Sequence, residues 1–345
     1  MARTALITGI SGQDGAYLAQ LLLGKGYRVV GGLRRSSRSA IPRLVELGIL
    51  DDVELVDFDL AELGNIMRTL EKTKPDEVYN LAGQSYVGLS FEQPLYTSDA
   101  CGIGALRILE SLRQVAPTAR YYQASTSEMY GKAQAFPQDE TTPFYPRSPY
   151  GVAKLFAHWA TVNYRESWGL HASSGILFNH ESPLRGREFV TRKICWSLAQ
   201  IRHGQLDVLE LGNLEAQRDW GFAGDYVEGM WRMLQHPEAQ DFVLATGERH
   251  RVREFVEAAA ARLGFAIEWS GSGADERGID RKSGKTIVRI NPALYRPAEV
   301  DSLLGNSKKA QQLLGWTRKI GFVDLVHMMA DADDKRVGEH FVTGP

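Results

Sequence analysis

Cysteine is scarce. The 345-residue chain holds two, Cys101 and Cys195. Two thiols cannot form a disulfide framework, and with no C-x-x-C pair there is no zinc pattern, so no metal is expected. Such sparing use favours a reducing, cytoplasmic compartment. Long apolar runs are missing as well. Nothing approaches the roughly 18–20 residues of a membrane helix, and no membrane partner is expected. Residues 1–9 read as a strand entering a turn, not as a charged-then-apolar leader. Charge of one sign is also lacking: 40 Lys+Arg face 42 Asp+Glu, a net −2. That argues against a nucleic-acid binder, while leaving room for a local basic pocket. No internal repeat stands out. With 43% hydrophobic and 24% charged residues, disordered and fibrous classes are excluded. A chain longer than about 250–300 residues points to one two-lobed unit or two domains.

The first half alternates. Ala5 to Gly9 is an apolar strand running into a glycine turn, and residues 14–25 place Tyr17, Leu18, Leu21 and Leu22 at helical spacing. Strands follow at about 27–33, 53–58, 77–81, 121–124 and 170–178. Helices are expected at about 63–72, 100–115 and from Ser148. This order implies βαβ units and a parallel sheet, an α/β class. Beyond residue 180 the alternation fades. Helices are expected at about 190–202, 225–234, 252–263 and 307–314, and the polar, glycine-rich stretch 270–285 reads as a surface loop.

Gly9, Gly12 and Gly15 fall between the first strand and the first helix, with Gln13 and Asp14 among them. Glycines there permit a tight turn and close approach of backbone to a pyrophosphate, which the helix N-terminus attracts. At the end of the second strand an acid would bind a free ribose 2′-OH, and an arginine a 2′-phosphate. The chain reads Arg34-Arg35-Ser36-Ser37, which favours NADP. Asp59 suits either an adenine amino group or a loop cap.

Tyr150 and Lys154 form the only Tyr-x-x-x-Lys in the chain. Ser148 can cap their helix and Pro149 suits its first position. One turn apart on one face, an ammonium beside a phenol would lower a pKa that starts near ~10 and make a usable base. The bland alternative is a buried tyrosine with a snorkelling lysine. Upstream, the fifth strand ends in Ser125-Thr126-Ser127-Glu128. If still extended, it points residues 126 and 128 to one side, where Thr126 could polarise a sugar oxygen. Glu128 would be a second acid/base, which simple hydride transfer does not need; otherwise it is a cap.

Together these words resemble the extended short-chain dehydrogenase/reductase family and, within it, the GDP-mannose 4,6-dehydratase group. The resemblance continues through Asn179-His180-Glu181-Ser182-Pro183, Gln217-Arg218-Asp219-Trp220-Gly221 and Arg296-Pro297-Ala298-Glu299. Gly83, Tyr86 and Leu184 depart from the group's common words. The resemblance implies a Rossmann-like doubly wound parallel sheet at 1–180 and about 220–245. A smaller mixed α/β C-terminal substrate domain would take about 181–219 and 246–345. It implies NADP held by the glycine turn, Arg34, Arg35, Ser36, Ser37, Asp59, Leu60, Leu81, Ala82, Gln84, Ser85, Tyr96, Lys154, His180 and Arg185. It implies GDP-mannose contacts at Ser85, Asn179, Lys193, Arg218, Arg296 and Glu299, around Thr126, Glu128 and Tyr150. The implied reaction passes a hydride from C4 through NADP to C6 with loss of water, in a homo-oligomer, a tetramer over a dimer. The four arginines at 34, 35, 38 and 43 would reach a neighbouring subunit. A 4-epimerase, a GDP-4-keto-6-deoxy-mannose reductase or a non-catalytic NADP sensor are the alternatives.

Overall fold

The computed structural model describes residues 2–34, 41–295 and 303–339. Ala5, Leu6 and Ile7 are all buried, because β1 (Thr4–Thr8) lies inside a sheet covered on both faces. The other strands are β2 (Arg28–Leu33), β3 (Glu54–Asp57), β4 (Glu77–Asn80), β5 (Arg120–Thr126), β6 (Ala172–Leu177) and a last strand, Phe242–Leu244. All pair in parallel. The order is Phe242–Leu244, β6, β5, β4, β1, β2, β3. It reverses between β1 and β4, which opens a crevice at their C-terminal ends.

Alternation along each strand sorts the side chains into two cores. Ile7, Tyr79 and Tyr122 join Leu18, Leu22, Tyr226 and Trp316 on one face. Leu6, Val78 and Tyr121 join Ile108, Leu112 and Tyr164 on the other. A third core unites the helices Val190–Arg202, Val252–Arg262 and Phe322–Gly338 through Leu198, Phe255, Val326 and Met329. Beside it runs a four-stranded sheet, Ile267–Ser270, Arg277–Asp280, Thr286–Ile290 and Leu209–Leu211. Its first three strands are antiparallel and its last pair is parallel. The fold is thus a doubly wound, Rossmann-like sheet with smaller sheets toward the C-terminus.

The stretch 270–285 is not simply a loop: Arg277–Asp280 is a strand within it. Its buried positions are Gly278 and Asp280 rather than apolar side chains. A Cβ on Gly278 would lie 3.1 Å from Val288 and 3.2 Å from Trp269. Asp280 is satisfied by Ser283 and the Ala266 amide. The helix expected from residue 100 begins as a π-type turn, Asp99–Ile103, and continues as Gly104–Val115. Phe322–Gly338 was not expected from the sequence. It buries Asp333 and Arg336, which blur its apolar stripe.

Candidate active site

The turn after β1 is shaped by missing side chains. Gly9 has φ +72°, and a Cβ there would lie 2.8 Å from the Ala82 nitrogen. A Cβ on Gly15 would lie 2.4 Å from the Gly9 carbonyl oxygen. Gly12 caps the helix Gln13–Gly24 with no side chain, so its first amides remain open to the cleft. A cavity of about 580 Å³ runs from this turn to Tyr150. Such a cradle fits a dinucleotide pyrophosphate.

Polar groups stiffen the cradle. Asp14 faces His180 with 2.8 Å between Oδ2 and Nε2, and the other His180 ring nitrogen lies 2.7 Å from the Phe178 carbonyl. Burial pushes the Asp14 carboxyl up, but the His180 charge and hydrogen bonds from His180 and Gln13 outweigh it and bring it down to about 2. Burial pushes His180 down, and Asp14 more than reverses this, so its pKa is raised. His180 also stacks on Tyr226, centroids 4.7 Å apart. Gln13 donates to the His180 carbonyl and accepts from Ser182.

Tyr150 and Lys154 lie on the helix Pro149–Trp168, whose N-cap Ser148 accepts from the Gly151 amide at 3.0 Å. Gly151 lets that helix meet the turn carrying Glu128, since a Cβ there would lie 2.9 Å from the Glu128 carbonyl oxygen. β5 ends at Thr126, and residues 127–129 form a 3-10 turn, so strand alternation does not aim residue 128. Thr126 and Glu128 nevertheless both line the cavity with Tyr150. Thr126 serves as the cap, accepting from the Glu128 amide at 3.2 Å. The Glu128 side chain makes no hydrogen bond or ion pair among the described residues.

Lys154 makes no hydrogen bond to the Tyr150 hydroxyl. Its ammonium donates to the Ala124 carbonyl at 3.0 Å and lies 5.9 Å from the Tyr150 ring centroid. Burial dominates instead: it pushes Tyr150 well up, with the Cys101 and Glu128 charges adding and Thr126 opposing. Burial likewise pushes Lys154 down, against Cys101 and Asp14. With these contacts alone the phenol stays protonated at neutral pH.

Most of the expected site residues line this one cavity. Leu60, Leu81, Ala82, Ser85, Tyr96, Asn179, Arg185 and Arg218 are among them. Asp59 lines it and also caps its own loop, accepting from the Ala61 amide at 3.0 Å. Arg34 donates to the Tyr96 hydroxyl at 3.0 Å. Gln84 and Lys193 are not on the lining. Gln84 turns inward to Thr97 and the Tyr86 amide. Lys193 is half-buried, and that burial lowers its pKa. Arg43, one of the four arginines expected to reach a neighbour, is engaged within its own chain, donating to the Leu184 carbonyl at 2.6 Å and the Ser11 carbonyl at 2.9 Å. Arg35, Ser36, Ser37, Arg38, Arg296 and Glu299 lie outside the described residues. Sequence reasoning missed Phe58, Val87, Tyr86 and Phe189 as lining residues. A signal for Phe58 was Gly32, whose added Cβ would lie 2.9 Å from it.

Known proteins were compared with this chain. A family model described as GDP-mannose 4,6 dehydratase matches residues 6–329. The GDP-mannose 4,6-dehydratase of Sinorhizobium fredii is 53% identical over 338 residues, 96% of each chain. Among solved structures, RMD of Pseudomonas aeruginosa, complexed with NADPH, superposes with a TM-score of 0.76 at 22% identity, covering 97% of this chain and all of that one. UDP-glucose 4-epimerase of Thermus thermophilus, complexed with NAD, gives 0.78 at 24%, covering 96% and 98%.

Proposed function

The chain belongs to the GDP-mannose 4,6-dehydratase family, and from that premise we propose how its residues divide the work. It is a hydro-lyase of nucleotide-sugar metabolism that dehydrates GDP-mannose to GDP-4-keto-6-deoxy-mannose. The observation that carries the assignment of roles is the meeting of Thr126, Glu128, Tyr150 and Lys154 in the cavity of the glycine turn. When bound in the glycine turn, a nicotinamide cofactor would supply a positive charge, a hydride acceptor for C4 and a hydride donor for C6. Tyr150 acts as the phenolate, a form that the positive charge of the bound cofactor and the Lys154 ammonium favour, and takes the proton from the C4 hydroxyl, while Thr126 hydrogen-bonds that oxygen. The 4-keto group acidifies C5–H. The Glu128 carboxylate removes the C5 proton and passes it to the C6 hydroxyl, which leaves as water. C5 regains a proton, and the one held on Tyr150 is released, so the count closes. Lys154, tied to the Ala124 carbonyl, holds a cation 5.9 Å from the Tyr150 ring centroid.

The cofactor is read as NADP rather than NAD, because Arg34 to Ser37 offers guanidiniums and hydroxyls and no acid. Titration should show tighter NADP(H) binding, and Arg35→Asp should reverse or erase the preference. The lobes are read as residues 1–180 with about 220–245, and about 181–219 with 246–345. The first binds the cofactor and the second the sugar nucleotide. Among the described residues no helix is long and apolar enough to cross a membrane. Both cysteines are free, buried thiols, which fits a cytoplasmic setting.

A homo-oligomer belongs to the same reading, a tetramer before a dimer. Val152, Phe156 and Trp159 stand at helical spacing on the outer face of the Tyr150 helix, and Val152 and Trp159 remain 56% and 55% exposed. Light scattering at the mass of one chain would rule assembly out. The function itself is tested by mass spectrometry of GDP-mannose incubated with the protein and a trace of NADP⁺. Loss of one water without net cofactor use is expected. An epimerase would leave the mass unchanged, and the keto-sugar reductase would leave GDP-mannose untouched.

A further inference from the structure

One aromatic wall of the cleft has no part in the roles above. Tyr86 precedes the short helix Val87–Glu92 beyond β4, and Phe189 precedes Val190–Arg202 in the other lobe. Their rings meet edge to face, centroids 6.1 Å apart and planes at 81°, and both line the cavity. The Arg185 guanidinium lies 3.6 Å from the Phe189 centroid.

Three contacts fix the posture of Tyr86. Its amide donates to Gln84 Oε1, which explains why Gln84 turns away from the cleft. Its ring folds back over Gly88, where an added Cβ would lie 3.1 Å from Cζ and 3.2 Å from the hydroxyl oxygen. Its neighbour Val87 packs against the cluster of Cys101, Tyr150 and Ala153. The ring, still 40% exposed, therefore stands one residue from a side chain in contact with the base. A large aromatic held open at a cavity wall presents an apolar face with a polar tip. A pyranose ring offers a matching C–H face beside its hydroxyls.

We propose that Tyr86, braced by Phe189 across the cleft, is the substrate-positioning wall against which the hexose of GDP-mannose rests. The proposal builds on the reading of this site as a GDP-mannose dehydratase. The contact belongs to the sugar alone, so it discriminates GDP-mannose from GDP and leaves the cofactor cradle untouched.

Steady-state kinetics with inhibition by GDP tests it. Tyr86→Ala should raise KM for GDP-mannose about tenfold, the loss of roughly one aromatic contact. It should leave inhibition by GDP and the affinity for NADP(H) unchanged. Tyr86→Phe, which keeps the ring, should stay within about twofold of the parent. Phe189→Ala, made from the other lobe, should show the same selective loss, and the double variant should lose little more than either single one. Should Tyr86→Ala fail to fold, Phe189→Ala and Tyr86→Leu carry the comparison. An unchanged KM, an equal loss for GDP, or full additivity of the two substitutions overturns the proposal. Failure of the unsubstituted protein to dehydrate GDP-mannose overturns the functional reading itself, before any variant is made.

Discussion

At the glycine-turn end of the cleft the polar side chains are tied to one another. Asp14 holds His180, Gln13 holds Ser182, and Arg43 holds the Ser11 carbonyl. At the Tyr150 end Lys154 and Thr126 reach backbone groups, the Ala124 carbonyl and the Glu128 amide, Ser125 reaches away to His158, and two others stand open. Glu128 and Ser85 line the cavity with no side-chain hydrogen bond among the described residues. Where a flexible dinucleotide must be received, the protein fixes its donors in advance, so little is lost in ordering them. Where bonds are made and broken, acid/base groups must stay free to exchange protons with the substrate. The burial that raises Tyr150 and lowers Lys154 belongs to the second kind of environment.

The largest expected effect lies at the loose end. Tyr150→Phe should cut turnover by about 10²–10⁴-fold and leave the cofactor oxidised. Glu128→Gln should lose product by a similar factor, yet still allow hydride to leave C4. Reduced-cofactor absorbance should then build up on that variant and not on the first. Full dehydration by Glu128→Gln would remove its role in elimination.

The tied end should respond through binding. Gly15→Ala puts a methyl 2.4 Å from the Gly9 oxygen and 2.7 Å from the Ile10 Cα, so the turn must move. Cofactor affinity should fall at least about tenfold, with stability lower by about 1–3 kcal/mol. Titration followed by a melt reads both. Unchanged cofactor affinity would show that the turn is not the cradle.

The smallest effect concerns pH. Asp14 falls from 3.8 to about 2 on folding. Its contribution, about 2 kcal/mol, is present above pH 3.8 and lost as pH drops through about 2. His180 is raised above 6.5, so its share is full below 6.5 and lost as pH rises through its folded value. The stability gap between the parent and Asp14→Asn should therefore be widest between about pH 4 and 6.5. Denaturant unfolding across pH measures it, and a gap independent of pH would contradict the pairing.

What the sequence displayed was local. Three glycines between a strand and a helix, or Tyr150 and Lys154 one turn apart, need no tertiary knowledge. Glu128 was legible from its place after β5, although a turn rather than strand alternation brings it to the cleft. The missed features depend on distant partners. Lys154 answers to the Ala124 carbonyl, and Arg43 to Leu184. Gln84 is spent on Thr97. The strand Phe242–Leu244 is too short to show a period, and Arg277–Asp280 hides behind a glycine and a satisfied carboxylate.

The placement of Phe242–Leu244 also governs the order of events at the ribosome. This strand edges the main sheet beside β6, and the helix Ala223–Gln235 packs on Gln13–Gly24. When residue 180 emerges, six strands exist, but the face that carries Gln13–Gly24 still lacks Ala223–Gln235 beside it, and the edge at β6 is open. Arg336, which pairs with Glu46, arrives 290 residues after it. The nascent main sheet thus waits, incomplete, for sequence that belongs to the last third of translation.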